Sequence, residues 1–195
     1  MIPRHVQIGS AALLLAILLS GAYMIHLRRS AKAASTQTQA SAPVAQLPGK
    51  VEQVRLLVAY DEDQALRWRD AEIFMPSDRS LRAREALRAV LAQYLQSPSP
   101  HPLGKGADIR GIYLINDDTM VVDTTLAFAD AHPSGVLLEQ LTLTSLIETL
   151  NANVPGVTRV KFLVNGQERE TLAGHADLMS FYQTAAVHQL ALEFQ

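Results

Sequence analysis

Residues 134–166 read Ser134-Gly135, then VLLEQLTLTSLIETLNAN, then Val154-Pro155-Gly156, then VTRVKFLV and Asn165-Gly166. This stretch predicts a helix from about Ser134 to Asn151, ended by Pro155 and Gly156. Val157–Val164 predicts a strand, and Asn165-Gly166 is a strong two-residue hairpin signal, with Gln167–Leu172 as the returning strand. At 100° per residue, Val136, Leu143, Leu146, Ile147 and Leu150 share one stripe of the helix. Leu137, Leu138 and Leu141 fall on the opposite side, among Ser145, Glu148 and Thr149. A helix apolar on two sides needs two covers. One is a sheet. The other is either the rest of the domain, which is the favoured reading, or a partner protein, for which Leu137 and Leu141 are the candidate contacts. Glu139 lines up with the first stripe near the helix N-terminus, where the helix dipole favours its charge. The role expected of it there is structural.

Upstream, Val51–Tyr60 (VEQVRLLVAY) predicts a strand and Asp61-Glu62-Asp63 a polar turn. Ala71–Met75 reads as a short second strand ended by Pro76. Ser77 or Ser80 is placed to cap a helix running to about Gln96, with Ala83, Leu87, Val90, Leu91 and Tyr94 on one face. Ser97–Gly106 is a Pro-rich loop. Ile109–Ile115 and Met120–Asp123 form a hairpin around Asn116-Asp117-Asp118. After His175 the pattern divides. Leu190, Leu192 and Phe194 alternate as in a strand, while a helix fits Asp177–Val187. The order β-β-α-β-β-α-β-β implies an α+β fold, one mostly antiparallel sheet with two main helices packed on one face.

The first fifty residues differ in kind. Val6–Leu27 contains no Asp, Glu, Lys or Arg, and Ala11–Leu19 is unbroken apolar sequence. Its 22 residues as a helix would span about 30 Å, the thickness of a bilayer core. Tyr23, His26, Arg28 and Arg29 suit an interface. The expectation is an uncleaved transmembrane helix over 6–27, followed by a linker over 28–50 and a folded domain over 51–195. One rival is a signal peptide cut at Ala31-Lys32-Ala33, but the apolar run is long for one, and the other is a buried core helix, which the basic flanks and the following linker do not fit. Residues 30–50 (SAKAASTQTQASAPVAQLPGK) are small and polar, as in a flexible spacer. Local charge bias alone would put the domain in the cytoplasm.

Of 195 residues, 48% are hydrophobic and 18% charged, enough for a buried core. Residues 51–195 hold 12 basic and 19 acidic groups, a net of −7, the wrong sign for a nucleic-acid binder. Cysteine is absent, which removes disulfides, thiolate metal sites, a Cys nucleophile and a lipidated N-terminal Cys. No two of the six histidines have metal-ligand spacing, and His175-Ala176-Asp177 is the nearest approach to a pair. No metal or cofactor is expected. There is no Gly-x-Ser-x-Gly elbow, and Gly104-Lys105-Gly106 lacks the rest of a phosphate loop. Asp61, Glu62 and Asp63, like Asp117 and Asp118, read as turns. Asp108 and Asp123 are the one candidate carboxylate pair for a glycosidase-like site, with Trp68 the only tryptophan to serve as a sugar platform.

Four stretches together resemble the GerMN domain family of sporulation and spore-germination proteins. They are Leu81–Leu95; Met120-Val121-Val122-Asp123-Thr124-Thr125 with Phe128; Ser134-Gly135 with Glu139, Leu146 and Thr149-Leu150; and Val160–Val164, Asn165-Gly166 with Leu172-Ala173-Gly174-His175. The resemblance covers residues 52–182. It departs at Gly104-Lys105-Gly106-Ala107, where the family usually has Pro-x-Gly-Thr, and in having one copy of the domain and no cysteine. It implies a non-enzymatic, extracytoplasmic module that acts in envelope assembly or cell-wall events. The implied fold resembles the ring-building motifs of secretion machines, and no catalytic residues carry over. Asp123, Glu139 and His175 are then turn, cap and packing positions. The expected function is a membrane-anchored module that joins envelope proteins or peptidoglycan in sporulation- or germination-type processes, held at the inner membrane with the domain outside. The alternatives are a cell-wall binding or hydrolytic enzyme and a cytoplasmic sensor held at the membrane.

Overall fold

The computed structural model describes residues 48–195. The expected membrane helix over 6–27 and all but the last residues of the 28–50 linker lie outside them. Among the described residues no helix is long and apolar enough to cross a membrane.

Strands β1 (Gly49–Tyr60) and β2 (Ala65–Pro76) form a hairpin paired without a break from Gly49↔Pro76 to Tyr60↔Ala65. The acidic turn joins them, with Gln64 at φ 53°. β2 is longer than the Ala71–Met75 read from sequence. Its first half, ALRWRD, is too charged to show a strand pattern, yet it pairs with the buried run Leu56–Ala59. Arg67 and Arg69 lie over Tyr60, and Arg55 over Trp68 at 4.4 Å from the ring centre. Stacked guanidinium groups keep the charges solvated while covering the rings.

Helix α1 (Arg79–Leu95) is capped by Asp78, whose carboxylate accepts the Leu81 N–H at 2.8 Å. The two flanking serines suggested by the sequence do not take that place. Ala83, Ala86, Leu87, Val90, Leu91 and Tyr94 are its buried face. Strands β3 (Ile109–Ile115) and β4 (Thr119–Thr124) follow as an antiparallel hairpin, with Asn116 and Asp117 at φ 51° and 61° in the turn. A short helix α2 (Leu126–Asp130), capped by Thr125, leads to α3 (Val136–Asn153).

After α3 the chain enters β5 (Arg159–Val164), which runs parallel to β4. A parallel neighbour needs a crossover, and α2 with α3 supplies it. Asn165 and Gly166, at φ 54° and 77°, make the expected tight turn. The return strand over Gln167–Leu172 does not form. Only a Val164↔Gln167 bridge persists, and the place beside β5 goes to β6 (Tyr182–Gln183). The chain ends in helix α4 (Thr184–Glu193), where Val187 and Ala191 are buried. The alternation of Leu190, Leu192 and Phe194 therefore belongs to a helix. The single antiparallel sheet of the sequence reading is replaced by two sheets: the β1–β2 hairpin and a mixed sheet ordered β3-β4-β5-β6.

Helix α3 is the centre of the fold. Every residue from Leu141 to Leu150 is buried. It packs against β1, α1 and α4, and Leu146, Ile147 and Leu150 share one core with Met120, Val122, Val160 and Phe162. Its second apolar side is covered within the molecule. Leu141 is 0% exposed and Leu137 is partly buried against the core, so the partner contact assigned to this pair from sequence has no free surface at Leu141.

The polar residues on that side bond to the free edge of β1. Ser145 donates to the Leu57 carbonyl at 2.7 Å, and Thr149 accepts the Leu57 N–H at 2.9 Å. Asn153 accepts from the Arg55 N–H and donates to its carbonyl, at 3.3 and 2.7 Å. The Tyr94 hydroxyl accepts the Ala59 N–H at 2.8 Å. Side chains thus replace the strand that would otherwise satisfy this edge.

Candidate functional site

Glu139, in the first turn of α3, has no exposed surface. A carboxylate so placed must be hydrogen-bonded throughout. Its Oε2 accepts the backbone N–H groups of Ala173, His175 and Ala176 at 3.0, 3.0 and 2.8 Å. Its Oε1 accepts the Gly135 N–H at 3.2 Å and faces the His175 Nδ1 at 2.9 Å. Burial alone would raise its pKa, but these bonds, the Ala176 amide foremost, outweigh it and hold the carboxyl at about 2. The Gly135 bond caps a helix whose N-cap residue has no side chain, as a capping-box glutamate does. The other bonds fasten the 173–176 loop onto α3. A carboxylate only accepts, so Nδ1 of His175 carries a proton and donates to Glu139.

His175 also lines a cavity of about 260 Å³ between α3, α4, the 173–176 loop and β6. Val136, Leu143, Ile147, Val187 and Leu190 make its apolar walls, with Gln140, Thr144 and Tyr182 as the other polar-bearing residues. Burial raises the Tyr182 hydroxyl to about 12, and that hydroxyl donates to the Asp177 carbonyl.

A second polar cluster lies inside the domain. His101 Nδ1 is 2.5 Å from Asp61 Oδ1, and its Nε2 is 2.6 Å from the Thr142 hydroxyl. The same hydroxyl is 2.7 Å from His132 Nε2, while His132 Nδ1 faces the Pro133 carbonyl at 2.7 Å. Carboxylate, imidazole and hydroxyl follow in the order of a nucleophilic triad. Thr142 and His101 are only 0% and 1% exposed, however, and Thr142 does not line the cavity beside His175. Its hydroxyl also bonds the Leu138 carbonyl at 3.0 Å. One hydroxyl proton among three possible acceptors means that an imidazole must donate to it. The cluster ties the turn after β1, the loop after α1 and the loop before α3 to one point on α3. Burial, the largest effect, holds His132 below the usual histidine range.

Residues 59–170 match the family Germane, described as sporulation and spore germination. The chain belongs to the Germane family. Solved structures similar to this Germane chain include a Clostridium perfringens protein described as a lipoprotein, 19% identical, with a TM-score of 0.47 over 73% of this chain and 93% of that one. The tandem GerMN domains of the Bacillus subtilis sporulation protein GerM are 18% identical, with a TM-score of 0.48 over 67% of this chain and 45% of that one. The first GerMN domain of GerM alone is 16% identical, with a TM-score of 0.46 over 66% and 94%. No curated protein matches the chain.

The Germane match contains Glu139 and the whole Asp61–His101–Thr142 cluster, and ends five residues before His175. The GerMN resemblance read from Asp123, Glu139 and the second helix is thereby met. The candidate carboxylate pair separates into two fixtures. Asp108 binds Arg88 through both oxygens, at 2.9 and 2.8 Å. Asp123 accepts the Gly166 N–H at 2.7 Å and lies 3.3 Å from Arg110, pinning the turn after β5. His175 and Asp177 do not converge on a ligand position. The first faces Glu139 and the second accepts the Met179 N–H. Among the described residues no three His, Cys, Asp or Glu side chains form a metal-sized group. The buried cluster was not legible in the sequence, because its members stand at 61, 101, 132 and 142 with no motif spacing.

Proposed function

We propose that this Germane protein is a membrane-anchored, extracytoplasmic module that assembles envelope proteins in sporulation- or germination-type processes without catalysing a reaction. The observation that carries the reading is the commitment of its chemically capable groups to the fold. Glu139 clamps a loop, His101 and Thr142 of the Asp61–His101–Thr142 series are buried, and Asp108 and Asp123 hold separate arginines. The accessible feature beside them is a mostly apolar cavity, which suits binding. Family membership supports the process, and the apolar 6–27 segment supports the anchor. The proposed orientation, with the N-terminus inside and the domain outside, follows from that family reading against the local charge bias.

The test is in-cell crosslinking with mass spectrometry on the native membrane-bound protein, together with a reporter fused after Gln195. Crosslinks to envelope proteins and a reporter active only outside the cytoplasm are expected. A reporter active only inside, or release of muropeptides by the purified protein, would overturn the reading.

A further inference from the structure

The mixed sheet has two faces, and the core uses one of them. Met120, Val122, Val160 and Phe162 point toward the helices and belong to the common core. Side chains alternate along a strand, so the residues between these point the other way. Tyr113, Val121 and Lys161 stand in register across β3, β4 and β5 on that outer face, and Ile115, Thr119 and Arg159 form the next row. None of the six belongs to the core. Phe181, directly before β6, closes the first row, its ring centre 5.7 Å from the Arg159 guanidinium carbon and 5.9 Å from Lys161 Nζ.

A sheet face that meets water carries polar side chains. This one presents Tyr113, Ile115 and Phe181, with Met179 beside them where Lys161 donates to its carbonyl, each 46–56% exposed. Tyr113 is also set in advance. A Cβ at Gly111 would stand 3.0 Å from the Tyr113 hydroxyl oxygen and 3.2 Å from its Cζ, so the ring leans along β3 over a residue with no side chain. A ring already laid on the sheet loses less freedom when a partner arrives.

The cations of this face are neutralised within it. Arg110 lies 3.3 Å from Asp123, Arg159 3.8 Å from Asp118 and Lys161 3.2 Å from Glu168. Aromatic, methionine and arginine side chains without net charge are the composition of a protein–protein interface centre. The face is small for a complete interface. Three strand spacings by six residues is roughly 300 Å², against about 800 Å² buried on each side of a stable complex. A partner must therefore reach the surrounding surface, and that surface is acidic. Asp117 in the β3–β4 turn and Asp177 ahead of β6 are exposed, and neither forms an ion pair among the described residues. Residues 51–195 together carry a net of −7. A second copy would bring the same charge against this rim, whereas a basic surface would complement it.

We propose that the outer face of the β3–β6 sheet docks a different envelope protein, one with an apolar patch ringed by lysine or arginine, and that Tyr113 and Phe181 are the anchors. The proposal rests on the assembly reading above and gives it a surface.

The test places a photo-crosslinking benzoylphenylalanine at Ile115 or at Phe181 of the full chain in its native membrane. Phe74 on β2 and Leu192 on α4, exposed elsewhere, are the control positions. Ile115 and Phe181 should give the same adduct with one envelope protein, joined at a segment rich in Lys or Arg, and the control positions should not. With the crosslinker at Ile115, Gly111→Ala should lift the Tyr113 ring and cut the adduct at least fivefold at an unchanged thermal midpoint, because the atoms it displaces are the tip of a half-exposed side chain. Asp117→Asn with Asp177→Asn removes the rim charges in residues that keep the turn conformation and the side-chain acceptor. It should cut the adduct about threefold and remove most of its salt dependence. Adducts with a second copy of the chain or with lipid, equal yields at the control positions, or yields indifferent to Gly111→Ala would overturn the proposal. No adduct at Ile115 or Phe181, while unselective crosslinks to envelope proteins persist, would sink this surface alone; absence of both would sink the assembly reading with it.

Discussion

At Glu139 the energetics turn on one ionised group. Its carboxyl is held at about 2 against an ordinary 4.5, so the folded state binds its proton less readily than the unfolded chain. The resulting stabilisation, on the order of 3 kcal/mol, is fully present above pH 4.5 and is lost as the pH falls toward 2. Glu139→Gln should lower stability by about that amount at pH 7, measured by urea unfolding, and the gap to wild type should close by pH 2. His132 adds an earlier acid limb. Burial lowers its pKa below the ordinary 6.5, so its neutral form belongs to the folded state and stability declines as the pH drops below that value. His132→Gln should remove the decline that begins near pH 6.5 and leave the one that belongs to Glu139. The two residues also differ in how well the sequence announces them. Glu139 is visible as the one acid in line with an apolar stripe. His132 gains its meaning only when His101 and Thr142 meet it, and no local pattern encodes that meeting.

Between elements, the polar face of α3 carries the most information. Read alone, Ser145 and Thr149 look like a second surface of the helix, and Asn153 falls beyond the helix end expected from sequence. In the fold all three are pegs for the open edge of β1. Strands β1, β3, β4 and β5, the two main helices and the hairpin turns are legible because apolar periodicity and Asn-Gly chemistry are local. The parallel pairing of β4 with β5, the loss of the Gln167–Leu172 strand and the role of these pegs are not, because they depend on which distant edge lies opposite. Thr149→Val keeps the volume but leaves the buried Leu57 N–H without an acceptor. It should cost about 1–3 kcal/mol and speed amide exchange at Leu57 above its neighbours. Gly104 shows the same dependence on a distant element. A Cβ there would stand 2.2 Å from the Ala131 Cβ and 2.9 Å from the Ala131 carbonyl oxygen. The loop between α1 and β3 therefore lies directly against the end of α2. Gly104→Ala should separate the two and lower the thermal midpoint, through a steric overlap in which one contact is backbone.

Across the whole molecule, the division at residue 47 separates two ways of meeting solvent. The compact unit from Leu47 to Gln195 contains the buried core described here, from Val54 on β1 to Ala191 on α4. Its hairpin edge is satisfied by its own helices, and its acidic surface, net −7 over residues 51–195, favours solubility. The preceding sequence, with an apolar run and only basic charges, has the composition of a membrane segment. If the first part is a tether, its removal should leave the cooperative unit intact. A fragment of residues 48–195 should therefore be soluble and monomeric, and should unfold in urea in one transition. Its midpoint should lie within experimental scatter of that of the full chain in nanodiscs, because stability resides in contacts that both share. The Glu139→Gln penalty should also be the same in both. A fragment with a lower midpoint or a shallower slope would mean that residues before 48 complete the core, and the tether reading would then have to give way to one in which that segment is part of the domain.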